Sequence, residues 1–175
     1  MWLLCQQEIN AAEYFDRITH KPLYKITVFS LHIRLFANVG SIGPSYQPGH
    51  AHADSLSFEL SSMGKRVFVN SGTSMYGVSK ERETERATSK HNTVTIENIN
   101  SSEVWSGFRV ARRARSYCEL LDNCENRIVI KLSHDGYTRI NPSYIHTREI
   151  CCDASSLKVS DYLPVIKEEA VFGHY

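Results

Sequence analysis

The sequence lacks a long hydrophobic run, an excess of either charge sign, and any cysteine spacing typical of a metal or redox motif. No apolar stretch approaches the ~18 residues of a membrane-crossing helix, which argues against a helical span. Lys and Arg total 20 against 19 Asp and Glu, a formal charge of +1. A dedicated nucleic-acid binder carries a marked basic excess, so that class is set aside. Cys5, Cys118, Cys124, Cys151 and Cys152 form no C-x-x-C pair. The adjacent Cys151 and Cys152 would sit about 3.8 Å apart at Cα, below the usual disulfide span of about 4.4–6.8 Å. Free, partly buried thiols are expected. Met1 to Cys5 is apolar but has no basic start, and it is shorter than the ~7–15-residue apolar region of a secretory signal. No export signal is expected in the chain as written. What is present is 175 residues, 42% hydrophobic and 22% charged. That is enough for one domain with its own core.

Met1 to Ile18 contains no Gly or Pro and carries Leu4, Ala11, Ala12, Phe15 and Ile18 near helical spacing. A short helix is expected there, making residues 1–22 a helical lead-in. From residue 23 to 175 the texture is different. Leu23–Phe29, Leu31–Phe36, Leu56–Leu60, Arg66–Val69, Thr93–Ile96, Trp105–Ala114, Arg127–Leu132, Tyr144–Ile150 and Leu157–Val159 read as strands separated by turn residues. The expected class is all-β, an antiparallel β-sandwich. Ser79–Ser89, dense in Lys, Glu and Arg, reads as an exposed loop or helical turn.

The densest polar cluster is Pro48-Gly49-His50-Ala51-His52-Ala53-Asp54. On extended backbone His50, His52 and Asp54 share one face, and the two alanines leave the other face small for close packing. Two imidazoles beside a Gly/Pro loop can ligate a metal or exchange protons with a substrate, or they can pair with Asp54 and loop backbone. Asn70-Ser71-Gly72-Thr73 and His91-Asn92-Thr93 are further polar segments at strand ends.

Together with Gly43-Pro44, Tyr76-Gly77, Arg82, Arg86, Ser101–Trp105 and Phe108–Arg113, these motifs resemble the C-terminal β-sandwich (a super-sandwich) of heparinase II/III-like polysaccharide lyases. The ordered set carries the resemblance, over roughly Leu31 to Arg115. It implies a carbon–oxygen lyase that cleaves uronic-acid polysaccharides, such as glycosaminoglycan or alginate, by β-elimination. It also implies an N-terminal α/α toroid as partner domain, with the full-length parent in the periplasm or cell envelope. His50 matches the substrate-facing, catalytic histidine of the family. His52, Asn70 and His91 match residues that hold a structural zinc in some members. Asn70 departs from the family's Asp, which weakens a zinc site. The toroid supplies a catalytic Tyr that 175 residues leave no room for. The isolated chain is therefore expected to bind acidic oligosaccharide weakly and turn it over negligibly.

Tyr76, Arg82 and Arg86 are candidate substrate-binding residues, the arginines through bidentate contacts to uronate. The plainer alternatives are rim packing for Tyr76 and surface ion pairs with Glu81, Glu83 and Glu85 for the arginines. Trp105 is expected in the core, and His146 as a cross-strand packing residue. Two other classes compete: a non-catalytic carbohydrate-binding sandwich, and a cupin-like metal enzyme. For the cupin class Glu59 follows His52 at too long a spacing.

Overall fold

The computed structural model describes residues 9–15, 22–28, 32–124, 127–153, 155–164 and 170–175. Five antiparallel strands form one sheet in the order β1 (Ile9–Phe15), β2 (Pro22–Val28), β3 (Ile33–Asn38), β4 (Phe58–Ser62) and β5 (Lys65–Phe68). A second sheet of four is ordered β12 (Leu157–Tyr162), β11 (His146–Asp153), β10 (Arg127–His134) and β9 (Ser116–Cys124). Two two-stranded ladders complete the strands, β6 (Val94–Ile96) with β13 (Val171–Gly173) and β7 (Val104–Trp105) with β8 (Arg109–Val110).

The core lies between the two large sheets. Ile33, Leu35 and Ala37 of β3, with Phe58 and Leu60 of β4, pack into one cluster with Ile128, Ile130 and Leu132 of β10 and Ile150 and Cys152 of β11. Side chains alternate across a strand, so β3 buries every second residue and turns Arg34 and Phe36 outward. This is the all-β sandwich expected from the sequence. No helix among the described residues is long and apolar enough to cross a membrane. Cys118, Cys151 and Cys152 are free thiols; Cys5 lies outside the described residues.

Several local expectations are corrected. Over residues 9–15 the expected N-terminal helix is replaced by strand β1, paired with β2 from Ile9↔Val28 to Phe15↔Pro22. Residues 1–8 and 16–18 of that expectation lie outside the described residues. Ladder pairing at the sheet edge outweighs a weak local preference for helix. Trp105–Ala114 is not one strand but a tight hairpin, β7–β8, turning at Ser106 with φ 51°.

The charged stretch is a true helix, α1 (Lys80–Arg86), capped by the Ser79 hydroxyl, which accepts from the Arg82 amide at 3.1 Å. Glu81 and Glu83 lie in its first turn and Arg86 in its last, as the helix dipole favours. It is not an exposed element throughout. Arg82 and Arg86, four apart and so on one face, are both fully buried.

Candidate functional site

Four segments meet at one edge of the sandwich: residues 48–54, 70–76, α1, and 88–92. Pro48–His50 forms one 3-10 turn, and the chain then runs on without ladder bonds. Alternation survives there: Ala51 and Ala53 are fully buried, while His50 is exposed and His52 and Asp54 are half-buried. Glycine is required at 43, which is held at φ +62° against this segment; a Cβ there would lie 2.8 Å from Ala51 Cβ.

Arg86 anchors this segment. Its Nε donates to the Ala51 carbonyl at 2.8 Å, Nη1 to Ser106 at 2.8 Å, and Nη2 to Arg109 at 3.0 Å. With every nitrogen bonded to backbone and no exposed surface, Arg86 has no free face for a uronate. The expectation of substrate contact is corrected at this residue, and so is its surface-ion-pair alternative. The arginine satisfies carbonyls that the irregular 51–54 and 106–109 backbones leave unpaired.

Arg82 is also fully buried. Its Nη2 donates to the Gly49 carbonyl at 2.8 Å and its Nη1 to Thr73 Oγ1 at 2.9 Å. Nη1 also lies 3.3 Å from His52 Nε2, and the guanidinium carbon sits 5.3 Å above the Tyr76 ring. It therefore meets the exposed surface through Tyr76 and Thr73 and not directly.

His52, His91 and Asn70 form a hydrogen-bonded chain. His52 Nδ1 faces His91 Nε2 at 3.3 Å, and His91 Nδ1 lies 3.1 Å from Asn70 Oδ1. The neighbours fix where the protons sit. Arginine can only donate, and the Thr73 hydroxyl, 3.2 Å from the same nitrogen, can turn its proton towards it, so His52 Nε2 accepts and Nδ1 carries the proton. At the other end the Gly72 amide donates to Asn70 Oδ1 at 3.0 Å, marking that oxygen as the acceptor. His91 therefore donates from Nδ1 and accepts at Nε2. Both ends dictate the same direction: Arg82 to His52 to His91 to Asn70. Burial, then the adjacent His91, pushes the His52 pKa down to about 4. Burial also lowers His91, despite the Asp54 charge and the Glu85 backbone.

His50 stands apart from this chain. Its Nδ1 lies 3.2 Å from the Tyr76 hydroxyl, with the rings edge to face at 5.4 Å. Tyr76 is 61% exposed, so it is a surface residue beside His50 and not rim packing. The five sequence-derived residues thus divide into a wired trio, His52–His91–Asn70, and an exposed pair, His50–Tyr76.

The zinc that the resemblance implies can be tested against these atoms. The facing nitrogens, His52 Nδ1 and His91 Nε2, are the two a bridging metal would take. Metal on His52 Nδ1 would move the ring proton to Nε2, directly against the Arg82 N–H donor. Asn70 is on the other nitrogen of His91, where it orients the ring and is not placed to share the metal. Among the described residues no group of three His, Cys, Asp or Glu is placed to hold a metal ion. The residues do not fit a structural zinc, which takes four such ligands.

Two features were not read from the sequence. Trp105, expected in the core, is 51% exposed, with the Arg109 guanidinium 5.0 Å from its ring centre. The second is the hydrogen-bond chain around His146, which is buried opposite His134 as the cross-strand packing residue expected from the sequence. The Gly136 amide donates to His134 Nδ1 at 3.0 Å, His134 Nε2 meets His146 Nδ1 at 3.1 Å, and His146 Nε2 meets Asp161 Oδ1 at 2.7 Å. Arg148 grips Asp161 with two nitrogens at 2.8 Å, and its Nη1 donates to the carbonyls of Leu56 and Asn92 at 2.7 Å. A signal existed: His146 and Arg148 share the inward parity of Ile150 and Cys152 on β11.

Residues 25–172 match the family described as heparinase II/III-like, C-terminal. No curated protein matches the chain by sequence. Among solved structures, a heparinase III gene product superposes with TM-score 0.62 at 20% identity, over 86% of this chain and 21% of its own. Heparan sulfate lyase HepC from Pedobacter heparinus gives TM-score 0.60 at 18% identity, over 82% of this chain and 20% of its own. The chain thus spans about a fifth of the length of these structures.

Proposed function

Because the chain belongs to the heparinase II/III-like family, whose C-terminal domain it carries, we propose that it is the sandwich part of a lyase acting on uronic-acid polysaccharides by β-elimination. The observation that supports this reading is the exposed His50–Tyr76 pair, backed by the buried Arg82. With Nδ1 engaged by the Tyr76 hydroxyl, Nε2 is the nitrogen of His50 that meets substrate. β-Elimination needs the C5 carboxylate neutralised, the C5 proton removed and the O4 leaving group protonated. His50 carries one of these roles, and Tyr76 lines the sugar beside it. The other roles belong to the toroid of a whole lyase, so the chain alone binds acidic sugar and turns it over negligibly. Trp105, exposed beneath Arg109, favours a second reading in which the same domain binds acidic sugar without any turnover.

The test is retention of the chain on heparan sulfate, alginate and bacterial capsular polymers against neutral dextran, with ultraviolet absorbance of unsaturated uronate as the product readout. Expected are retention on the acidic polymers, weakened by His50→Ala, and negligible product. Equal retention on dextran overturns the uronate reading. Robust product from the chain alone, abolished by His50→Ala, overturns the assignment of the remaining roles to another domain.

A further inference from the structure

We propose that the organising cation of this site is the guanidinium of Arg82, and that the His52–His91 pair works without a metal. A structural metal organises a site by collecting lone pairs from separate stretches of chain. Arg82 does the same with its donor fork. It gathers the Gly49 carbonyl next to His50, the Thr73 hydroxyl and His52 Nε2, and its flat face lies over Tyr76. Two separate stretches of irregular chain, 48–54 and 70–76, are thereby fixed to one buried charge that stays protonated at all physiological pH.

The direction of the bonds makes this arrangement and a metal mutually exclusive. Arg82 needs a lone pair on His52 Nε2; a metal between the rings needs that lone pair on Nδ1 instead. A neutral imidazole carries one proton and one in-plane lone pair, so it serves only one of them. The guanidinium adds a positive charge 3.3 Å from the imidazole that would bind a second cation. Asn70 completes the replacement. As a neutral amide it accepts from His91 Nδ1 and from the Gly72 amide, closing the chain without a countercharge. Arg82 is a positioning residue here, acting on substrate through His50, Tyr76 and His52. The inference rests on the wiring alone and stands whether or not the domain handles uronate.

The experiment has two readouts on the 175-residue chain. Metal content is measured after growth with added zinc, together with melting temperature in zinc and in chelator. Histidine tautomers are read from long-range nitrogen–proton NMR correlations. Expected are substoichiometric zinc, a melting temperature indifferent to zinc and chelator, and His52 protonated on Nδ1. Stoichiometric zinc, or a melting temperature that falls on chelation, overturns the metal-free site. His52 protonated on Nε2 overturns the role of Arg82. Arg82→Met is expected to lower the Nδ1–H fraction of His52, which the Asn70 end alone then favours, and Arg82→Lys, which also only donates, to keep it. Should Arg82→Met fail to fold, the two wild-type readouts decide.

Discussion

Two histidine pairs in this protein use the same hydrogen-bond logic in opposite surroundings. Each chain starts at a group that can only donate, Arg82 in one and the Gly136 amide in the other, and each passes through two neutral imidazoles. They differ in where they end. The buried pair ends on Asp161, a carboxylate clamped by Arg148, by His146 and by the Tyr175 hydroxyl at 3.0 Å. The pair at the sandwich edge ends on the neutral amide of Asn70. A charged end buried among partners commits a network to stability, because any missing member leaves a charge stranded. A neutral end near solvent makes fewer demands, and there the protein can expose a reactive imidazole such as His50.

The largest expected effect therefore lies away from the candidate site. Asp161→Ala strands the fully buried Arg148 and should cost about 3–5 kcal/mol in urea denaturation. Asn70→Ala, which removes one acceptor at a partly exposed position, should cost about 1 kcal/mol. Equal losses would erase the distinction between the two ends.

Acid should expose the same contrast. His52, His91, His134 and His146 all have folded pKa values below 6.5, each chiefly through burial. The unfolded chain then binds more protons than the folded one below that value. Stability is complete above pH 6.5 and declines as pH falls towards the folded values, about 4 for His52. Burial opposes ionisation of Asp161, but hydrogen bonds from His146 and Arg148 hold its pKa well below 3.8, so stability drops again on further acidification. Urea midpoints across this range should fall less steeply in His146→Gln, which removes one of the buried titrating groups. An unchanged slope would mean that the edge pair dominates. The smallest effect is expected at His50. His50→Ala should shift stability by no more than about 0.5 kcal/mol, as at other exposed positions.

The sandwich was legible because β3 and β4 carry the apolar periodicity that a half-buried sheet imposes, and β10 a short run of β-branched residues. β9 was not, since Leu120 and Leu121 are both exposed and the ladder to β10 slips between Lys131 and Leu132. The cluster at His50, His52, Asn70 and His91 could be named from the chain, yet its division into a wired trio and an exposed pair depends on contacts between distant segments. The arginines misled most. Lys80–Arg86 has the composition of a solvated face, and only the unpaired carbonyls of 49, 51, 106 and 109, invisible in the sequence, explain why two of its charges turn inward.

Asn92 has a mechanical consequence. Its side chain donates to the carbonyls of Phe58 and Val69, and its own carbonyl receives Arg148 from β11 of the opposite sheet. The residue works as a rivet through both layers, one position from His91. Local breathing at the His52–His91 edge would have to pull the rivet, so it should be as rare as separation of the whole sandwich. Backbone amides beside the candidate site should then exchange with solvent as slowly as those in the core.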